Sequence, residues 1–169
     1  MATKQTRVPE RTREAVLDAA EALFSERGYE AASLQEVATA AGVSRATPSY
    51  FFGSKEQLYR AVLERMFVPP LRLIERVGEL AARGAPAEEM VRVAIAEYVD
   101  FLFSRPTFVR LVGWEALRGG GMLNEIAAHV DSVRAGRDLL AAQLGLGSFR
   151  PVDPAQLLIS VVGDRKSVV

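Results

Sequence analysis

The chain has 169 residues, 49% of them hydrophobic, which is enough for a real core in one or two small domains and excludes a disordered chain. Acidic and basic residues balance at 21 each, so net charge points to no nucleic-acid partner, and any such reading must rest on local distribution. The lack of cysteine excludes disulfides and thiolate metal sites and suits a reducing cytoplasm. No apolar run reaches the roughly 18 residues needed to span a bilayer, and the polar, basic first residues do not read as a secretory signal.

Apolar residues recur at helical spacing and no strand-like alternation lasts more than a few residues, so the chain reads as all-α. After a flexible basic arm over 1–8, the first helix is expected over 9–27. Pro9 stands at its first position, Val16, Leu17, Ala20, Leu23 and Phe24 form its apolar stripe, and Gly28 forms a left-handed cap. Ser33-Leu34-Gln35-Glu36 is a capping box that opens a short helix to about residue 41, with Leu34, Val37, Ala38 and Ala41 inward. Gly42 supplies a positive φ for a sharp turn, and Ser44 is expected to cap a helix running to Phe52. Pro48 then falls at the fourth helical position, where it removes one backbone bond and should tighten the first turn. Ser54-Lys55-Glu56-Gln57 is a second capping box, opening a longer helix that Pro69-Pro70 should kink or break. Further helices are expected over 71–83, 86–103, 106–118 and 124–144, with Gly119-Gly120-Gly121 as a flexible connection. Asp153-Pro154-Ala155-Gln156 reads as the start of a last helix.

Two short helices joined by a tight glycine turn make a helix-turn-helix, whose second helix lies in the DNA major groove. The odd run "SRATPSYFF" fits that role. Arg45, Ala46, Thr47 and Ser49 are short or hydrogen-bonding, so the backbone can approach the groove floor, and hydroxyls and methyls there can read base edges. Tyr50 carries a hydroxyl that could reach a phosphate, Phe52 is expected inward, and Phe51 is apolar where DNA contact is expected. Lys55, in the first turn of the next helix, suits a phosphate. Lys4, Arg7, Arg11 and Arg13 form the basic arm, which suits either a solvated tail or a DNA-touching one.

These residues carry a family resemblance. The stretch "AALFSERGYEAASLQEVATAAGVSRATPSYFFGSKEQLYRAVL" resembles the DNA-binding region of the TetR family of bacterial transcription regulators. The Gly-Tyr before the first capping box, the Ala-Gly-Val-Ser turn, the Tyr-x-Phe and the Ser-Lys-Glu-x-Leu occur in the family's order and spacing. The resemblance implies a helix-turn-helix domain over 9–66, with its three helices at the N-terminus, followed by a helical C-terminal bundle over 67–169 for ligand binding and dimerisation. It also implies a homodimer on a palindromic double-stranded DNA operator, released as a repressor by a small-molecule effector. The family's DNA contacts fall on Ser33, Gln35, Arg45, Ala46, Thr47, Ser49, Tyr50, Phe51 and Lys55. Many members have Leu-Tyr-Tyr-His where this chain has Pro48-Ser49-Tyr50-Phe51, which argues for a different operator.

The aromatics of the second half suit a core as well as a pocket. A ligand cavity would be mostly apolar with a few polar groups, and Tyr98, Phe101, Trp114, Glu115 and His129 are the candidates. No cofactor or metal site is expected, and no membrane partner. An enzyme has little support: one histidine, no cysteine and no Gly-x-Ser-x-Gly elbow leave few routes to a nucleophile with a base, a carboxylate chemistry on Glu115, Glu125 and Asp131, near one another in sequence, being one that stays open. A constitutive or architectural DNA-binding protein without an inducer is the alternative class. At the C-terminus the apolar pattern stops abruptly at "DRKSVV", a run that a short-read sequencing adapter encodes in one frame. Residues 164–169 are therefore expected to be non-native and the dimerisation domain truncated. Operator binding should then be weak until the missing helix is restored.

Overall fold

A computed structural model describes residues 7–145, with side chains over 9–142; the expected last helix and residues 164–169 lie outside the described residues. Every described element is helical. In chain order these are α1 (Arg7–Ala31), α2 (Leu34–Ala40), α3 (Thr47–Phe52), α4 (Lys55–Ala82), α5 (Ala87–Ser104), α6 (Pro106–Leu117), a 3-10 turn at Leu123–Glu125, and α7 (Ala127–Gly145).

The first helix departs from expectation at its end. α1 starts two residues before Pro9 and continues past Gly28, which interrupts it with φ 76° and ψ 171°. That is not a left-handed cap but the mirror-extended region open essentially to glycine alone. The remaining turn, carrying Tyr29 and Glu30, is thereby redirected. Val16, Leu17, Ala20 and Phe24 are buried as the periodicity requires. They share a core with Val37, Ala38, Leu58, Tyr59, Val62 and Leu63, and Phe24 and Tyr59 meet edge to face at 4.9 Å.

The two prolines of α4 do not break it: the helix runs 28 residues with Pro69 and Pro70 inside. An interior proline costs about 3 kcal/mol or more through a lost bond and a clash. Here the flanking Met66, Phe67 and Pro70 are buried, so packing offsets the local penalty.

The chain divides into two compact units. Among the described residues, one runs through Met66 and takes back Arg105–Met122; the other comprises Phe67–Ser104 and Leu123–Gly145. A single cut after residue 66 therefore does not describe the packing, because α6 lies against α1 in the first unit. Polar bonds fix it there. Thr107 Oγ1 donates to Glu21 at 2.7 Å, and Trp114 Nε1 donates to the Ser25 carbonyl at 3.1 Å. Tyr59 Oη donates to the buried Glu115 carboxylate at 2.9 Å. Arg65 of α4 adds a fork to Glu21 (2.6 Å) and Asp18 (2.7 Å) of α1. In the second unit, Tyr98 and Phe101 stack on α5 at 6.3 Å, and the His129 ring lies 4.7 Å from Phe67.

Candidate nucleic-acid interface

The capping box at α2 forms as its sequence predicts. Glu36 N–H donates to Ser33 Oγ at 3.2 Å, and Ser33 N–H donates to the Glu36 carboxylate at 2.9 Å. The Ser33 hydroxyl also lies 2.7 Å from that carboxylate, and Arg27 reaches its other oxygen at 2.8 Å. The Ser33 side-chain bond, then its backbone bond, hold the Glu36 carboxyl below its ordinary range. While this box stands, the Ser33 proton is occupied, and a phosphate, which can only accept, must look elsewhere. Ser33 thus orients the helix on which Gln35 stands exposed.

The turn follows from Gly42 at φ 65°, with Val43 N–H closing onto the Ala38 carbonyl at 3.0 Å. The second helix of the motif then begins later than expected. Its N-cap is Ala46, with no side-chain cap, and α3 holds only six residues. Ser44 is outside it. Pro48 consequently sits in the first turn, where a missing N–H breaks no bond, and its ring is buried. The expectation of a proline tightening an established helix is replaced by a proline that begins one.

The same shift creates a contact that the spacing alone did not suggest. Ser44 Oγ and Thr47 Oγ1 hydrogen-bond at 2.8 Å. One hydroxyl proton is used in that bond and the other remains for an acceptor outside. The pair bridges the turn that leads into α3, around exposed Arg45 and Ala46, with Ser49 exposed farther along. From Gly42 to Lys55 the chain carries two basic residues and no acidic one, so this segment is locally positive despite the neutral whole.

The three aromatics form a graded series from solvent to core. Tyr50 is 83% exposed, Phe51 is half-buried and Phe52 is buried. Tyr50 meets Phe51 edge-on at 5.1 Å, Phe51 lies 6.5 Å from Phe52, and the Arg13 guanidinium sits 4.9 Å over the Phe52 ring. Arg13 therefore fastens α1 to the end of α3, and Phe51 props the exposed tyrosine.

Ser54 and Gln57 exchange the expected reciprocal bonds at the head of α4, at 3.1 and 3.0 Å. Lys55 follows, half-buried. Its ammonium lies 4.4 Å over the Tyr29 ring and donates to the Glu30 carbonyl at 3.2 Å. An ammonium has three protons, so two remain for a phosphate.

The five ligand-pocket candidates divide between the two units. Trp114 and Glu115 use their polar groups on Ser25, Tyr59 and Arg118 of the first unit, whereas Tyr98, Phe101 and His129 belong to the second. Among the described residues no group of His, Asp and Glu could hold a metal ion, and no helix is long and apolar enough to cross a membrane.

Known proteins share both the sequence and the architecture. The family profile of bacterial regulatory proteins, tetR family, matches residues 16–62, which span α2, α3 and the head of α4. The HTH-type transcriptional regulator RutR of Escherichia coli K12 is 30% identical over 163 residues, covering 94% of this chain and 74% of that protein. The HTH-type transcriptional repressor NicS of Pseudomonas putida is 30% identical over 158 residues, covering 89% and 73%. Among solved structures, the TetR family transcriptional regulator PfmR of Thermus thermophilus superposes with TM-score 0.63 at 30% identity, covering 88% of this chain and 80% of that one. The hemolysin II regulator HlyIIR shares the fold, with TM-score 0.74 at 24% identity over 92% and 85%. With a helix-turn-helix whose segment from Gly42 to Lys55 carries hydroxyls, an arginine and a lysine and no acidic residue, the chain belongs to the TetR family and is a DNA-binding transcription regulator rather than an enzyme.

Proposed function

We propose that this regulator is a cytoplasmic repressor that binds a palindromic operator as a homodimer and is released by a small-molecule effector. The observation that carries the DNA reading is the surface at the start of α3: Arg45 exposed, the Ser44–Thr47 hydroxyl pair beside it, and Lys55 at the head of α4. Arg45, Ala46, Thr47 and Ser49 read base edges in the major groove. Tyr50, Lys55 and Gln35 engage the backbone, and Phe51 offers an apolar edge to sugar or thymine methyl. Ser33 orients α2. The repressor, dimer and effector features are those typical of the family. Of the effector candidates, Tyr98, Phe101 and His129 carry the reading, since Trp114 and Glu115 also hold α6 in place.

Selection of binding sites from a random duplex library, at stated salt, tests this. The expected product is an inverted repeat with half-sites about 34–36 Å apart, one helical turn. A folded protein that enriches no sequence would sink the operator reading, and an effector that binds without changing operator affinity would sink the release.

Two substitutions separate the roles. Lys55→Ala should weaken binding on every sequence and lower the salt slope by about one. Thr47→Ala should change preference at one base pair, at about 1–3 kcal/mol. Indistinguishable behaviour of the two across a panel of operators would refute the assignment.

A further inference from the structure

Lys55 does not stand alone on the surface. The Tyr29 ring that it overlies also lies 4.7 Å below the Arg118 guanidinium, at the C-terminal cap of α6. Glu30 serves the same two side chains: its carbonyl accepts from Lys55 at 3.2 Å and its carboxylate from Arg118 at 3.3 Å. Arg118 is anchored in turn. A second amino group donates at 3.1 Å to Glu115, which is 1% exposed and held by the Tyr59 hydroxyl. Tyr29 packs on Tyr59 at 5.0 Å and on Phe24 at 6.1 Å. A buried carboxylate thus fixes an arginine, the arginine fixes a tyrosine and a glutamate, and those two fix the lysine.

We propose that Arg118 is a positioning residue for DNA binding, holding Lys55 ready for a phosphate through the Tyr29 ring and Glu30. This rests on the phosphate role given to Lys55 above. The physical reason is the lysine stem, whose four carbons leave the ammonium free to wander unless something holds it. The aromatic face and the carbonyl supply that hold, and they keep their places only while the turn after Gly28 does. Two cations on one ring repel each other. The Glu115 and Glu30 carboxylates neutralise Arg118 and let both remain.

The test measures affinity and salt dependence on the duplex recovered by selection, with thermal melting as a control for folding. Arg118→Gln should weaken binding about two- to tenfold, the range of a cation–π contact, and Arg118→Lys should recover most of it. In a Lys55→Ala background the Arg118→Gln effect should vanish. Tyr29→Leu should match the Arg118→Gln loss and not add to it, whereas Tyr29→Phe, which keeps the ring, should bind as the parent does. An equal loss from Arg118→Gln with and without Lys55 would overturn the proposal, as would no loss at all. Should Arg118→Gln fail to fold, Tyr29→Leu in the two backgrounds decides by the same criterion. Lys55→Ala that leaves both affinity and salt slope unchanged would instead refute the phosphate role itself.

Discussion

Glu115→Ala should lower the unfolding free energy by about 2–4 kcal/mol, because it removes the buried carboxylate that Tyr59 and Arg118 share. Glu115 is 1% exposed and accepts from both Tyr59 and Arg118. Removing it leaves the buried Tyr59 hydroxyl without this acceptor and opens a void between α4 and α6. Arg118 can turn to water, which keeps the loss below that of a fully enclosed ion pair. Glu115→Gln retains an acceptor for Tyr59 and should cost less than half as much. Urea unfolding with an unchanged m-value would show that the native state is what changed. A loss under about 0.5 kcal/mol for Glu115→Ala would contradict the account, since that is the scale of a neutral surface change.

The same network predicts an alkaline limit. Burial first, and the Glu115 hydrogen bond second, push the Tyr59 hydroxyl well above the ordinary tyrosine range. The folded state therefore holds a proton that the unfolded chain gives up near pH 10. The stability tied to this group is complete below that pH and falls as pH rises toward the folded-state value. Tyr59→Phe should remove its share of the slope between about pH 10 and 11.

Gly28→Ala should be nearly as damaging, at about 2–4 kcal/mol. At φ 76° and ψ 171° the backbone is in a region that L-residues avoid, and a Cβ would stand 3.2 Å from the Trp114 ring. The two penalties differ in kind, and a second substitution separates them. Trp114→Leu, which withdraws the large ring, should recover only the crowding part. Gly28→Asn should not rescue, because asparagine tolerates the left-handed helical region and not this one. Equal stability of Gly28→Ala and the parent in chemical unfolding would mean that the turn carrying Tyr29 can be redirected at no cost.

Local rules located the DNA-binding motif because its signals are short-range. The Ser33–Glu36 box, the Gly42 turn and the Ser54–Gln57 box each need partners three to five residues away, and each formed as read. The start of α3 did not follow from those rules. Serine at 44 is a good cap, but burying Pro48 requires the helix to begin at Thr47, and the serine pairs with the threonine instead. The prolines at 69 and 70 show the same ordering of strengths: a local penalty of a few kcal/mol yields to burial of the residues around it.

From the sequence alone came the all-helical class, the helix-turn-helix and its family, since caps, glycine turns and helical period are written within a few neighbouring residues. Only the tertiary structure decided that α6 belongs with the DNA-binding unit and that Trp114, Glu115 and Arg118 hold it there. Tyr59 and Glu115 are 56 positions apart, and Arg118 and Glu30 are 88. No periodicity or cap connects residues so distant. Their pairing is set by which buried polar groups can satisfy one another once the chain has folded.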